Sequence, residues 1–212
     1  MALDEAVLTG APADALILRF FRWSGPACTF GYSQSHRDVR AACDERGWKD
    51  VAPVRRATGG GIVFHDGDLT FSLVFPWDRT MAPDAIYKNI HRGVHLGLKE
   101  IGEKAFLNSP ERRPPGAAAA CFTRAEPMDL VLTDGRKVLG GALRKKGSMG
   151  LYQGSLRLEA FGSSREQVEE AISDGVSREF GRTPSREIPD AWLEAGRALE
   201  ARYRSREWNE RR

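Results

Sequence analysis

Cysteine is scarce in this chain. Cys28, Cys43 and Cys121 are its three cysteines in 212 residues, odd in number and without a Cys-x-x-Cys pair. That spacing argues against a disulfide framework and offers no zinc ligand set, and free thiols suit a reducing cytoplasm. Long apolar runs are missing as well. The best, Ala15 to Phe21, is interrupted by Arg19 and is far too short to cross a bilayer. The opening MALDEAVL carries Asp4 and Glu5 instead of the basic flank and apolar core of a secretory leader. The expectation is a cytoplasmic protein with no membrane partner. There is little excess charge: a net +3 is too mild to indicate nucleic acid and at most suits an acidic protein.

What is present is enough for a real core. With 41% hydrophobic and 29% charged residues, residues 1–212 are expected to form one domain. Leu16 to Trp23 reads as a strand, and Asp38 to Arg46 as a short helix stopped by Gly47. Ile62 and Phe64, then Leu69, Phe71, Leu73 and Phe75, alternate with period two, and Asp66-Gly67 between them predicts a hairpin. Pro83 opens a helix whose stripe is Ile86, Ile90, Val94, Leu98 and Ile101. Asn108 to Ala120 reads as a long proline-rich loop, the kind of segment that serves as a lid or as a disordered connector. Leu130 to Leu132 and Lys137 to Leu139 predict a second hairpin around Asp134-Gly135, interrupted by Gly140-Gly141. Leu151 to Leu158 adds a strand. Ser163 with Glu166 predicts a capping box for a helix bearing Val168, Ile172, Val176 and Phe180, and a last helix starts near Pro189 with Trp192, Leu199 and Tyr203 as anchors. Strands and helices come in blocks with hairpins, which predicts an α+β fold with a largely antiparallel sheet.

The most informative segment is RRATGGGIVFHDGDLTFSL, Arg55 to Leu73. Three successive glycines, Gly59, Gly60 and Gly61, beside a strand indicate unusual dihedrals or close backbone approach. No Gly-Lys-Ser/Thr follows, so this is not a Walker A loop. Arg55 and Arg56 stand just upstream, as scaffold or as contacts to a polar head group. Cys121 is a thiol nucleophile if a nearby cation lowers its pKa, or else a buried small hydrophobe. Lys137 is either a solvated hairpin lysine or a fixed point charge beside glycines that polarises an acyl carbonyl or holds a phosphate. His65 reads as a structural histidine before a catalytic base. His91 and His95 have metal-ligand spacing but lack a third ligand, so they read as ordinary helix residues. No Gly-x-Ser-x-Gly elbow supports a serine hydrolase.

Taken together, the two glycine-rich segments resemble the lipoate–protein ligase and octanoyltransferase family. The resemblance runs through RRATGGGIVFHDGDLTFSL, Ala120-Cys121-Phe122, DLVLTDGRKVLGGA at 129–142 and QGSL at 153–156, with further family-like segments at 1–8, 29–34 and 202–212. It implies a class II synthetase/biotin protein ligase-like α+β fold, a mostly antiparallel mixed sheet flanked by helices. It implies an apolar tunnel for a medium-chain acyl group, lined around Arg56, Thr58, Gly59, Gly60, Gly61, His65, Gly140, Ala142 and Gly154. Burying about seven CH₂ or CH₃ groups at ~0.8 kcal/mol each offers roughly 5–6 kcal/mol toward holding that chain. The acceptor it implies is the lysine of a lipoyl carrier domain, in a 2-oxoacid dehydrogenase E2 or the glycine cleavage H protein.

Two chemistries share that scaffold. In one, Cys121 carries the group as a thioester taken from an acyl carrier protein, with Lys137 as the functional lysine and no cofactor. In the other, ATP and Mg²⁺ convert lipoate to an adenylate that Lys137 faces. The ligases usually carry a second small C-terminal domain, for which 212 residues leave little room, so the transferase is preferred. A third reading is a non-catalytic homologue that binds an acyl group or a lipoylated partner. This chain departs from the family pattern at Gly140-Gly141-Ala142-Leu143, where Gly-Ser-Ala-Gln is frequent, and at Tyr152-Gln153-Gly154, where Gln-His-Gly is common. It also has Met128-Asp129 in place of the ligases' Asn-Asp.

Overall fold

A computed structural model describes residues 1–108 and 122–211. The chain runs α1 (Ala2–Gly10), β1 (Ile17–Phe21), β2 (Ala27–Phe30), α2 (His36–Glu45), β3 (Val54–Arg55), β4 (Val63–His65), β5 (Leu69–Pro76) and α3 (Pro83–Glu100). It continues with β6 (Phe106–Leu107), β7 (Leu130–Val131), β8 (Lys137–Lys146), β9 (Met149–Leu156), α4 (Arg165–Phe180), α5 (Asp190–Arg204) and α6 (Arg206–Asn209). The fold is α+β. Its larger sheet has the order β1-β5-β9-β8-β7-β6, antiparallel throughout, and its smaller one the order β3-β2-β4. The β2–β3 pair is parallel, so the sheet system as a whole is mixed.

Strand β5 explains the layering. Leu69, Phe71, Leu73 and Phe75 point to one face, where Ile86, Ile90, Val94 and Leu98 of α3 and Val168, Ile172 and Val176 of α4 close the main core. The expected α3 stripe is buried as far as Leu98, whereas Ile101 lies past the helix end and is exposed. On the opposite face Val74 joins Ile17, Met149 and Leu151 under Val7 and Leu8 of α1. Thr70 and Ser72, also on that face, are buried but polar: Thr70 lines a pocket, and the Ser72 hydroxyl donates to Asp4 of α1. Among the described residues no helix is long and apolar enough to cross a membrane.

Three local expectations are corrected. Strands β4 and β5 do not form a hairpin. β4 pairs with β2, Ala27 opposite His65, while β5 pairs with β1 and β9, so Asp66-Gly67 turns the chain from one sheet into the other. Gly140-Gly141 does not interrupt the second hairpin, because β8 continues through to Lys146 with Gly141 opposite Gly154. The capping box sits one residue later than expected, at Ser164 with Gln167. Ser163 is engaged elsewhere: its N–H and hydroxyl both donate to Glu103 Oε1 at 2.7 Å. The hairpin around Asp134-Gly135 forms as read from the sequence. Of the proline-rich loop expected over 108–120, only Asn108 is described, its N–H donating to the Asp129 carbonyl; the rest, with the lid role, lies outside the described residues.

Candidate active site

The glycine segment is built around its two arginines. Arg55 is 1% exposed and donates to the carbonyls of Tyr32, Gln34, Trp208, Asn209 and Arg211 at 2.6–3.1 Å. It is scaffold, tying β3 to residues 208–211. Arg56 turns the opposite way. Its Nη2 donates to the carbonyls of Gly59 (2.9 Å) and Gly61 (2.8 Å), and its Nη1 to Thr29 Oγ1 (2.9 Å). The loop is thus wrapped around a guanidinium, and Gly60 takes φ +83°, where a β-carbon would be strained. Gly31 packs so closely against Gly60 that any side chain there would strike the Gly60 carbonyl.

Between this loop and strands β8 and β9 lies a pocket of about 390 Å³, its open mouth included. Gly60, Gly61, Gly140, Gly141, Ala142 and Gly154 give it backbone and methyl walls. Its polar side chains bond to one another or to buried neighbours. Thr29 Oγ1 accepts from Arg56 and is 2.8 Å from His65 Nε2, while His65 Nδ1–H donates to Asp68 Oδ2 at 2.9 Å. Thr70 (3.0 Å) and Ser155 (2.5 Å) donate to that same oxygen. Burial pushes the Asp68 carboxyl up, but the donors His65, Ser155 and Thr70 outweigh it and hold the group below its ordinary value. Gln153 accepts from Thr58 and donates to Asp4 Oδ2, both at 2.7 Å. With Thr29, His65, Thr70, Gln153 and Ser155 bonded in this way, these residues turn carbon surface to the pocket, which suits an alkyl chain, while Asp68 Oδ1 is buried without a hydrogen bond among the described residues.

Beyond the glycines of β8 lies a charged pair. Lys137 Nζ stands 2.8 Å from Asp129 Oδ2, with side chains only 5% and 0% exposed. The carboxylate also accepts from the Glu126 N–H (2.7 Å) and from the Tyr87 hydroxyl (2.6 Å). Burial pushes the Asp129 carboxyl above its ordinary value, with Lys137, Tyr87 and Glu126 offsetting only part of this. The preceding residue, Met128, is left-handed at φ +69° and closes the tight turn that brings Asp129 back toward Glu126. Behind Tyr87, His91 is wholly buried and its Nε2 is 2.7 Å from the Tyr152 hydroxyl. Burial, reinforced by the nearby Lys137 charge, pushes the His91 pKa down to about 3, so its ring is neutral. The Tyr152 ring occupies the volume that a side chain at Gly141 or Gly154 would need, which is why both positions are glycine.

Of the residues singled out from sequence, Arg56, Gly60, Gly61, His65, Gly140, Ala142 and Gly154 surround one pocket. Gly59 contributes its carbonyl to Arg56, and Thr58 lies buried behind, held by Gln153. Lys137 is a sealed ion pair, not a solvated lysine. Cys121 lies outside the described residues; Phe122, which follows it in the chain, has its ring 5.8 Å from Lys137 Nζ. Sequence reasoning missed Thr29, Asp68, Tyr87 and Tyr152 and took His91 for an ordinary helix residue. The available signal was Tyr87 and His91 at i and i+4, aromatic positions beside an otherwise aliphatic stripe.

The fold is that of the lipoate-protein ligases. A lipoate-protein ligase A bound with ATP superposes with a TM-score of 0.80 at 22% identity, covering 99% of this chain and 92% of that one. Protein Ta0514 of T. acidophilum with bound lipoic acid superposes at 0.78 and 23% identity, covering 99% and 91%. Octanoyltransferase LipM of Symbiobacterium thermophilum is 34% identical over 170 residues, 75% of this chain and 60% of that protein. Octanoyltransferase LipM of Carboxydothermus hydrogenoformans is 31% identical over 220 residues, 91% and 78%. The chain therefore spans about 60% of the length of some curated relatives and more of others. Residues 1–179 match the lipoyl protein ligase A/B catalytic domain, and the chain belongs to that family of lipoate- and octanoyl-transferring enzymes.

Proposed function

We propose that this protein moves an octanoyl or lipoyl group onto the lysine of a lipoyl carrier domain, and that Cys121 carries the group as a thioester. The observation that supports this reading is the ring of Phe122, the residue that follows Cys121 in the chain, 5.8 Å from Lys137 Nζ. The Cys121 thiolate attacks the carbonyl of a carrier thioester, forming the new C–S bond as the old C–S bond breaks and the donor leaves as its thiolate. The acceptor amine then attacks the Cys121 thioester, the C–N bond forms, the Cys121 thiolate departs and the amine gives up a proton. Lys137, held by Asp129, supplies positive charge toward the carbonyl oxygen as negative charge develops on it. The glycine walls hold the alkyl chain away from water.

A second reading, an ATP-dependent ligase acting through an acyl-adenylate with Mg²⁺, is favoured by the ATP bound in the ligase of the same fold. On this second reading Arg56, whose guanidinium is held by Thr29, Gly59 and Gly61, would keep its positive charge at the pocket, and a triphosphate would draw on further cations as well. The test is to mix the protein with an octanoyl-carrier thioester and weigh it by mass spectrometry. A hydroxylamine-sensitive adduct of one octanoyl group, absent in Cys121→Ala, is the expected result. No adduct, with Cys121→Ala still active when ATP and lipoate are supplied, would replace this reading with the ligase.

A further inference from the structure

We propose that Tyr87 is a positioning residue for acyl transfer, its hydroxyl tying the counterion of Lys137 to the backbone wall of the acyl pocket. This rests on the function proposed above. Tyr87 stands near the start of α3 and reaches two partners with one oxygen. The Gly141 N–H lies 3.0 Å from it and the Asp129 Oδ1 2.6 Å. An amide N–H can only donate, so the phenol accepts from Gly141 and its single proton points to Asp129. The direction of both bonds is therefore fixed by chemistry. Gly141 lies two residues past Leu139, which faces Leu130, the first residue of β7, so among the described residues the β7–β8 ladder does not reach it.

The carboxylate is held at both oxygens. Tyr87 takes Oδ1, while Lys137 and the Glu126 N–H take Oδ2. The groups around it come from three elements: Lys137 from β8, Tyr87 and the neutral His91 from α3, and the Arg124–Glu126 pair (2.7 Å) from the loop before Asp129. Tyr87 itself is braced. Its ring packs on His91 with centroids 4.1 Å apart, and His91 holds Tyr152 above Gly141 and Gly154. Helix α3 thus grips the charged pair and the pocket wall through one hydroxyl. Removing that hydroxyl leaves Asp129 Oδ1 and the Gly141 N–H without this bond and frees the carboxylate to rotate away from Lys137.

The experiment compares Tyr87→Phe, Asp129→Asn and the double variant in acyl transfer to an apo lipoyl domain. Phe keeps the ring and its stacking, so folding is retained. The expected result for Tyr87→Phe is a fall in kcat of about 10- to 100-fold with KM nearly unchanged, and an acid limb of the pH–rate profile displaced upward. The upward direction follows from removing a donor to the ionised carboxylate. In the Asp129→Asn background the same change at position 87 should have almost no further effect. Additive losses with an unmoved profile would overturn the proposal and leave Tyr87 as packing. A carboxyl ¹³C NMR titration of Asp129 in the two proteins separates this from the functional reading. If the wild-type chain transfers no acyl group, that reading fails, while an upward displacement of the Asp129 midpoint in Tyr87→Phe still supports the coupling and its absence refutes it.

Discussion

Asp129 and Lys137 meet across the turn between β7 and β8, Nζ 2.8 Å from Oδ2, both closed off from solvent. Separating two charges buried this deeply leaves the survivor uncompensated, so the pair acts as one unit. Lys137→Met should lower acyl transfer by about 10²–10³-fold and destabilise the fold by roughly 3–5 kcal/mol. Lys137→Arg should not rescue activity, because a planar guanidinium cannot take the place of a compact ammonium in this slot. Transfer kinetics and urea unfolding of the two variants check both statements, and wild-type-like kinetics in Lys137→Arg would contradict them.

His91 makes stability depend on pH well above the carboxylate range. Its pKa falls to about 3 in the folded chain because burial and Lys137 oppose its charge. The unfolded chain binds that proton near pH 6.5, so between these values it holds a proton that the native state lacks. Stability is therefore full above pH 6.5 and declines by about 1.4 kcal/mol for each pH unit below it. Thermal unfolding between pH 7.5 and 5 should show that decline, and His91→Gln should flatten it. A slope unchanged by the substitution would refute the assignment.

Tyr152 makes a prediction about packing. Its ring fills the space where β-carbons at positions 141 and 154 would sit. Gly141→Ala and Gly154→Ala should each cost about 1–3 kcal/mol by overpacking. Tyr152→Leu should soften the penalty of Gly141→Ala, read as a non-additive double-mutant cycle in urea. Strict additivity would show that the ring is not the obstacle.

Met128 is strained by position. At φ +69° it pays the steric penalty of a left-handed L-residue. Met128→Asn, restoring the pair common in the ligases, should raise stability by about 1 kcal/mol, and Met128→Gly should relieve the same strain at a larger entropic cost. Equal or lower melting temperature for Met128→Asn would mean that the turn is held for another reason.

The sequence was most legible where one element explains itself. The four-residue spacing from Ile86 to Leu98 and the alternation from Leu69 to Phe75 gave α3 and β5 because each pattern reflects a single buried face. The Asp66-Gly67 signal marked a turn correctly, but a turn does not say whether its flanking strands pair. That was decided by β2 and by β1 with β9, strands distant in sequence. Gly140-Gly141 read as an interruption because glycine weakens a strand by itself; the compensating Tyr152 ring comes from the neighbouring strand. In the site, glycines and Lys137 were visible as motif positions. Tyr87 and His91 were not, since their partners Asp129 and Tyr152 lie 42 and 61 residues away. Asp68 was overlooked for a related reason: beside a turn it reads as a turn residue, and its donor Ser155 is 87 residues on.

The decisive measurement is octanoyl transfer from a carrier thioester to an apo lipoyl domain, followed by mass spectrometry with and without ATP and Mg²⁺. Transfer through Cys121 gives octanoylated lipoyl domain at equal rates in both mixtures, and none with Cys121→Ala. Modification that requires ATP, or that survives the loss of Cys121, would contradict it.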